Sequence, residues 1–431
     1  MNSAINANEL NRRQFMEGTA KALLGVGALG MTNRAGAASG AGLGLPGRVG
    51  AAKHIIYLYM GGGMSHIDTF DTKPKHKYQG PTRTIDTNVD DIKISGYFPS
   101  LATQADKLAI VNSMTSTAGA HSQGNYFMHT SYDPRATIRH PGLGAWALKF
   151  KGRMNPNLPG SVFIGGNSRI NGGGGFFEPE FEPLAINNPS SGLKNSKLRG
   201  MDQEQLAEDL ELASQLDTEF HQRYDVKQVR AYTQMYDDAV RIMQSKDLQA
   251  FDLREENSAS RARYGSNAFG QGCLLARRLI EHDVCAVEVS YNDWDMHHSM
   301  FISGPEKCAI LDKAMGALLA DLERIGKLDD TVVVLTTEFG RTPRINENAG
   351  RDHHPQAFSS VLAGGGFKGG FVFGKTDEGG ENVIENPVEI PDFNATIAYA
   401  MGLPLDQVLY SPSKRPFTVA HKGEPVLDLF A

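Results

Sequence analysis

Unbroken apolar runs punctuate this chain, and each passes at once into a polar stretch rich in glycine, carboxylate or imidazole. His54-Ile-Ile-Tyr-Leu-Tyr-Met60 leads into Gly61-Gly62-Gly63, and Lys107-Leu-Ala-Ile-Val-Asn112 into Ser113-Met-Thr-Ser-Thr117. Val284-Cys-Ala-Val-Glu-Val-Ser290 leads into Tyr291-Asn-Asp-Trp-Asp-Met-His-His298, and residues 331–337 into Glu338. Runs without alternation predict strands covered on both faces, since neither face meets water. Phe358-Ser-Ser-Val-Leu-Ala363 predicts another strand and Gly369-Gly-Phe-Val-Phe-Gly374 a hairpin-like segment. Helical spacing predicts helices from near His121 through His129, over about 306–325 and over 392–401. Residues 150–200 are irregular and rich in Gly, Pro and Asn, whereas 201–280 read as helical, with Leu206, Leu210, Ala213, Tyr232, Met235, Tyr236, Ala239 and Val240 at the apolar positions. Strands alternating with helices imply an α/β fold: a central, mainly parallel sheet flanked by helices, with a helical middle insertion. The glycine runs 172–175 and 364–366 lack the strand–glycine–helix context of a nucleotide fingerprint and read as turns.

The N-terminus has a different pattern. Arg12-Arg13 precede an uncharged, weakly apolar segment, Ala22 to Thr32, and then Ala35-Gly-Ala-Ala38. Paired arginines, a short apolar core and an Ala-x-Ala site predict a twin-arginine export signal over residues 1–37, followed by a linker over 38–52 and one domain over 53–431. The apolar run is too short to span a bilayer, so no transmembrane anchor is expected in the mature chain. Export by this route predicts a periplasmic or secreted protein that folds, and loads any cofactor, before it crosses the membrane.

At 431 residues, 40% hydrophobic and 21% charged, the chain can bury a large core. Its formal charge of −6 becomes −8 once Arg12, Arg13, Lys21 and Arg34 leave with Glu9 and Glu17, which argues against a nucleic-acid partner. Cys273, Cys285 and Cys308 have no metal-type spacing, and three thiols cannot all pair within one chain.

Chemistry concentrates just beyond the predicted strands, where open α/β sheets place their sites. His66 and Asp68 follow the first strand one residue apart, so on an extended loop both point the same way. Asp295 and His297 repeat that spacing, with His298 a ligand or an orienting neighbour. Glu338 closes a further strand and either binds metal or pairs with Arg341 or Arg344. One of His353 and His354 reads as a ligand and the other as a hydrogen-bond donor. Such residues suit one or two divalent ions, Zn²⁺, Mn²⁺, Mg²⁺ or Ca²⁺.

Five segments together carry a family resemblance: residues 62–71 (Gly-Gly-Met-Ser-His-Ile-Asp-Thr-Phe-Asp), Trp294-Asp-Met-His297, Thr337-Glu-Phe-Gly-Arg-Thr-Pro343, Gly350-Arg-Asp-His-His-Pro355 and Gly364-Gly-Gly-Phe-Lys-Gly-Gly370. Over residues 52–425 the chain resembles the exported bacterial proteins grouped as domain of unknown function 1501, which are similar to the alkaline phosphatase and sulfatase superfamily. The resemblance implies an alkaline phosphatase-like fold with metal ligands at Asp68, Asp295, His297, Glu338 and His353 or His354. It also shows departures. Gly61-Gly62-Gly63 stands where phosphatases carry Gly-Asp-Gly, and Glu338-Phe339 where they carry Asp-His. The sulfatase pattern places His121 at the nucleophile, with Gly124 and Asn125 following and no cysteine, so a formylglycine sulfatase is excluded. Ser122, Thr115 or Thr117 as a hydroxyl nucleophile, His121 as a metal ligand or phosphohistidine, and water all stay open.

The reading that follows is an exported, metal-dependent hydrolase of phosphate or sulfate esters or related small anions, with Arg341 gripping nonbridging oxygens. Its alternative is a metal-binding scaffold that keeps the fold with little or no catalysis. A protein partner docking on the helical middle region is a further expectation.

Overall fold

The computed structural model describes residues 50–166, 171–193, 241–242 and 245–431. The predicted signal and almost all of the linker, and residues 201–240 of the predicted helical insertion, lie outside the described residues.

Nine strands form the main sheet among the described residues: β1 (His54–Tyr59), β2 (Leu108–Thr115), β3 (Ser161–Ile164), β4 (Leu184–Ile186), β5 (Ala286–Ser290), β6 (Thr331–Thr336), β7 (Phe358–Ala363), β8 (Phe371–Phe373) and β9 (Val388–Glu389). Their order is β8-β2-β7-β6-β1-β5-β3-β4, with β9 also on β2. Every pairing is parallel except those of β7, which runs antiparallel to both β2 and β6. The segment read as a hairpin is the edge strand β8.

Among the described residues, five of the helices cover the two faces: α1 (His121–Thr130), α2 (Leu143–Lys151), α3 (Ala268–Glu281), α4 (Met300–Arg324) and α5 (Ile390–Ala400). Alternation along β1 shows how both faces are sealed. Ile56 and Leu58 pack with residues of α3 and α4, while Ile55, Tyr57 and Tyr59 pack with those of α2 and α5. All six residues of β1 are buried, as its unbroken apolar run requires. Cys285 lies one residue before β5, buried, and all three thiols are free.

Register is what places the site. Tyr59, the last residue of β1, pairs with Ser290 of β5 on one side and Thr336 of β6 on the other. Three carboxyl ends therefore sit level at the centre of the sheet, and the loops leaving them must meet. The β1 loop folds back so closely that Gly62, at φ +116°, would place a Cβ 2.5 Å from the backbone nitrogen of Asp295. A side chain there is sterically forbidden, which accounts for the glycine run.

Candidate metal centre

His121 opens α1, beyond β2. Asp295 and His297 lie on the loop after β5, and His353 lies on a two-stranded ribbon in which His353–His354 pairs with Gly340–Arg341. Ligand atoms of His121, Asp295 and His353 all fall within 4.8 Å of one another. His297 joins them from the side: its Nε2 is 3.0 Å from Asp295 Oδ1 and 3.0 Å from His353 Nε2.

Each imidazole is held through its other nitrogen. His121 Nδ1 meets Glu338 Oε1 at 2.9 Å, His297 Nδ1 meets Asp352 Oδ1 at 2.7 Å, and His353 Nδ1 meets the Gly119 carbonyl at 2.9 Å. All three partners only accept, so each Nδ1 carries a proton and each ring turns its Nε2 inward. His121 Nε2 is buried, 3.2 Å from Asp295 Oδ2, and makes no hydrogen bond among the described residues. With the rings in their neutral form, three lone pairs and a carboxylate would converge with no N–H among them. Such a donor set repels itself unless a cation, a metal ion or extra protons, stands between. Imidazoles anchored through Nδ1 by carboxylate or carbonyl are the arrangement that metal-ligating histidines adopt, so the residues fit a divalent ion.

The electrostatics agree. Burial opposes ionisation of Asp295, but the Arg341 guanidinium 2.5 Å away prevails and holds its pKa at about 2. The hydrogen bond to Glu338 raises the pKa of His121 against the opposing effect of burial.

Glu338 lies behind His121 rather than within the cluster. It is 1% exposed; His121 and the Gly62 N–H (2.8 Å) reach Oε1, and the Tyr59 hydroxyl (2.8 Å) reaches Oε2. This carboxylate, expected as a metal ligand, meets His121 Nδ1 and orients the ring. Arg341, expected to grip nonbridging oxygens, lies beneath the cluster beside Asp295. Fully buried, it donates to the carbonyls of Gly62, Gly63 and Arg351 as well as to Asp295. Four of its donors are taken by the loop framework and by Asp295, which it holds in place.

Three further expected ligands lie elsewhere. Asp68 accepts from Arg351 Nε at 2.7 Å and from the hydroxyls of Ser65 and Thr82 at 2.6 Å each, a buried ion pair that braces the β1 loop. His66 Nε2 donates to the Gly380 carbonyl at 2.8 Å and His354 Nε2 to the Glu381 carbonyl at 2.7 Å. These two rings pin the tip of the segment between Thr376 and Val383. Ser122 follows His121 on α1 and is exposed.

Asp352 and Tyr59 escaped the sequence reading. Asp352 lies inside the Gly-Arg-Asp-His-His block, where the adjacent histidines are the stronger ligand signal. Tyr59 lies in an apolar run, where nothing marks its hydroxyl. Gly350 is explained by contact: a Cβ there would lie 2.1 Å from the carbonyl carbon of His297.

Residues 52–430 match a family described as protein of unknown function, DUF1501. No curated protein matches the chain. Among solved structures it is similar to the lipoteichoic acid synthase LtaP from Listeria monocytogenes, at 10% identity over 84% of this chain and 75% of that one, with a TM-score of 0.40. A protein of the alkaline phosphatase superfamily from Vibrio parahaemolyticus is similar at 10% identity over 90% and 72%, with a TM-score of 0.38. The soluble domain of lipooligosaccharide phosphoethanolamine transferase A from Neisseria meningitidis is similar at 12% identity over 81% and 88%, with a TM-score of 0.34.

Proposed function

The chain belongs to the DUF1501 family, whose description assigns no activity, and from its imidazole cluster we propose a metal-dependent hydrolase of phosphate or sulfate esters or related anions. One observation carries the reading: the Nε2 atoms of His121, His297 and His353 are turned on Asp295 by hydrogen bonds at their Nδ1 atoms. Under this reading these four residues hold the ion. Three nitrogens and one oxygen favour a transition metal such as Zn²⁺ or Mn²⁺ over Mg²⁺ or Ca²⁺, which prefer all-oxygen shells. A bound ion would polarise an ester and lower the pKa of a bound water.

The protein's own contribution is alignment. Glu338 and Asp352 keep His121 and His297 in the ligating tautomer, and Arg341 keeps Asp295 ionised. Water is the nucleophile this centre favours, since its donors are imidazoles and a carboxylate. Export through the twin-arginine route belongs to the same proposal and rests on Arg12-Arg13 and the apolar segment behind them.

The burial of Arg341 favours a second reading, in which the centre binds a metal without turnover, because the expected anion clamp is committed elsewhere. Elemental analysis of the protein purified without chelator, followed by an ester panel with and without chelator, separates the two. Metal with chelator-sensitive turnover supports the hydrolase, and metal with no turnover supports the scaffold. A folded protein that takes up no transition metal on titration defeats both.

A further inference from the structure

At the far end of α1 from His121 the surface gathers cations in excess of acids, with Asp133 among them acting on His421. Arg135 and Arg139 are exposed on the loop after α1, Lys414 and Arg415 on the ribbon Leu409–Tyr410/Pro416–Phe417, and Lys422 next to His421. Among the described residues none of these five has a carboxylate oxygen within 4.0 Å. In a chain of net charge −6 this positive excess is local, and Asp133 offsets only part of it.

Contacts tie the segments into one patch. Arg415 Nη1 donates to Thr137 Oγ1 at 3.4 Å, joining ribbon to loop. The Tyr132 ring lies 4.4 Å from His140 and 4.3 Å from His421, and Phe417 lies 5.0 Å from His140. His140, 1% exposed, sits beneath. Its backbone N–H donates to Tyr126 Oη at 2.6 Å, and the Tyr126 hydroxyl in turn donates to His140 Nδ1 at 2.8 Å. That leaves the ring proton on Nε2, which is buried with no partner among the described residues. Burial first, then the charges of Arg135 and His421, push the His140 pKa down to about 4, so the ring is a neutral donor. A buried donor left open costs on the order of 1–3 kcal/mol, and clustered like charges repel, so both features call for an acceptor of negative charge.

We propose that this patch is an oxyanion site for a phosphate or sulfate group, with Arg135, Arg139, Arg415 and Lys422 supplying charge and His140 Nε2–H an acceptor-seeking donor, directly or through a water. Guanidinium groups suit such tetrahedral anions because their N–H donors match pairs of oxygens. The site is separate from the metal cluster and does not rest on its activity.

The test titrates inorganic phosphate, then sulfate, into the full chain with histidines isotopically labelled, following His140 and His421 by NMR. The expected result is saturable shifts at both rings, weakened at least about tenfold in an R135Q/R139Q double variant, with metal content unchanged. Both substitutions are on exposed side chains, so folding should survive, as circular dichroism can verify. Absence of saturable binding by either anion overturns the proposal, and so does binding that is indifferent to R135Q/R139Q or lost only in His353→Ala. Sedimentation with phosphatidylglycerol vesicles then assigns the source. Pelleting abolished by R135Q/R139Q identifies a lipid phosphate, and phosphate binding without pelleting identifies a soluble or polymeric ester.

Discussion

His297 and His353 face each other through Nε2 atoms 3.0 Å apart, while the Nδ1 atoms behind them are held by Asp352 and by the Gly119 carbonyl. Two acceptors at that separation are stable only around shared positive charge. Asp352→Asn should therefore weaken metal binding by about 10–100-fold, the usual effect of removing a carboxylate that orients a ligating histidine. Competition titration against a chromophoric chelator measures it. An affinity equal to that of the parent would mean that His297 is not held in the shell by Asp352.

Asp68 separates structural from ligating carboxylates. With Arg351 fully buried and the Asp68 side chain 5% exposed, Asp68→Ala leaves an uncompensated buried guanidinium. A loss of about 3–5 kcal/mol of stability is expected from that change, read from urea denaturation, with metal stoichiometry preserved in the folded protein. If metal were lost while stability held, Asp68 would return to the ligand set.

The contrast between Asp68 and Asp295 shows where the sequence was legible. Apolar runs announce strands because burial on two faces leaves an unmistakable pattern, and β1, β2, β5, β6 and β7 all lie where the runs predicted them. Parallel packing also explains why chemistry clusters just beyond those runs. What spacing along the chain cannot convey is which acceptor each side chain finds across the loops. His66 and Asp68 have the same i, i+2 spacing as Asp295 and His297, yet Arg351, 283 residues from Asp68, takes up that carboxylate. His353 and His354 are neighbours that point into different surroundings because they lie on a strand, where successive side chains alternate.

His66 gives a pH dependence with a definite direction. Burial, the largest influence, lowers its pKa to about 3, against roughly 6.5 for an exposed imidazole. Above the unfolded value both states are neutral and the contribution is fully present. As pH falls from about 6.5 toward 3, the unfolded chain takes up a proton that the folded chain refuses, and stability drops by up to about 1.4 kcal/mol per pH unit. Gln at position 66 can still donate to the Gly380 carbonyl but does not titrate. His66→Gln should therefore flatten that part of the stability profile, measured as urea midpoints between pH 7 and about 4.5. Superimposable profiles for the two proteins would assign the acid sensitivity to other groups.

Tyr59 tests whether the orientation of His121 is set from inside the sheet. Its hydroxyl donates to Glu338 Oε2 while Glu338 Oε1 receives His121, so the phenol reaches the cluster only through the carboxylate. Tyr59→Phe removes one donor from a buried carboxylate and should cost about 1–3 kcal/mol of stability. Its effect on metal affinity should be smaller than that of Glu338→Gln, because Gly62 N–H, Thr337 and His121 still hold the carboxylate. Glu338→Gln keeps the volume but removes the charge that favours the Nδ1–H tautomer, so affinity should fall by about 10–100-fold. Substituting Co²⁺ and following its visible absorption gives a readout that a general loss of stability does not move. A changed ligand-field band in Glu338→Gln, with a parental band in Tyr59→Phe, is the expected pair of spectra. A parental band in both would place His121 outside the metal's coordination, leaving Asp295, His297 and His353 as its protein ligands.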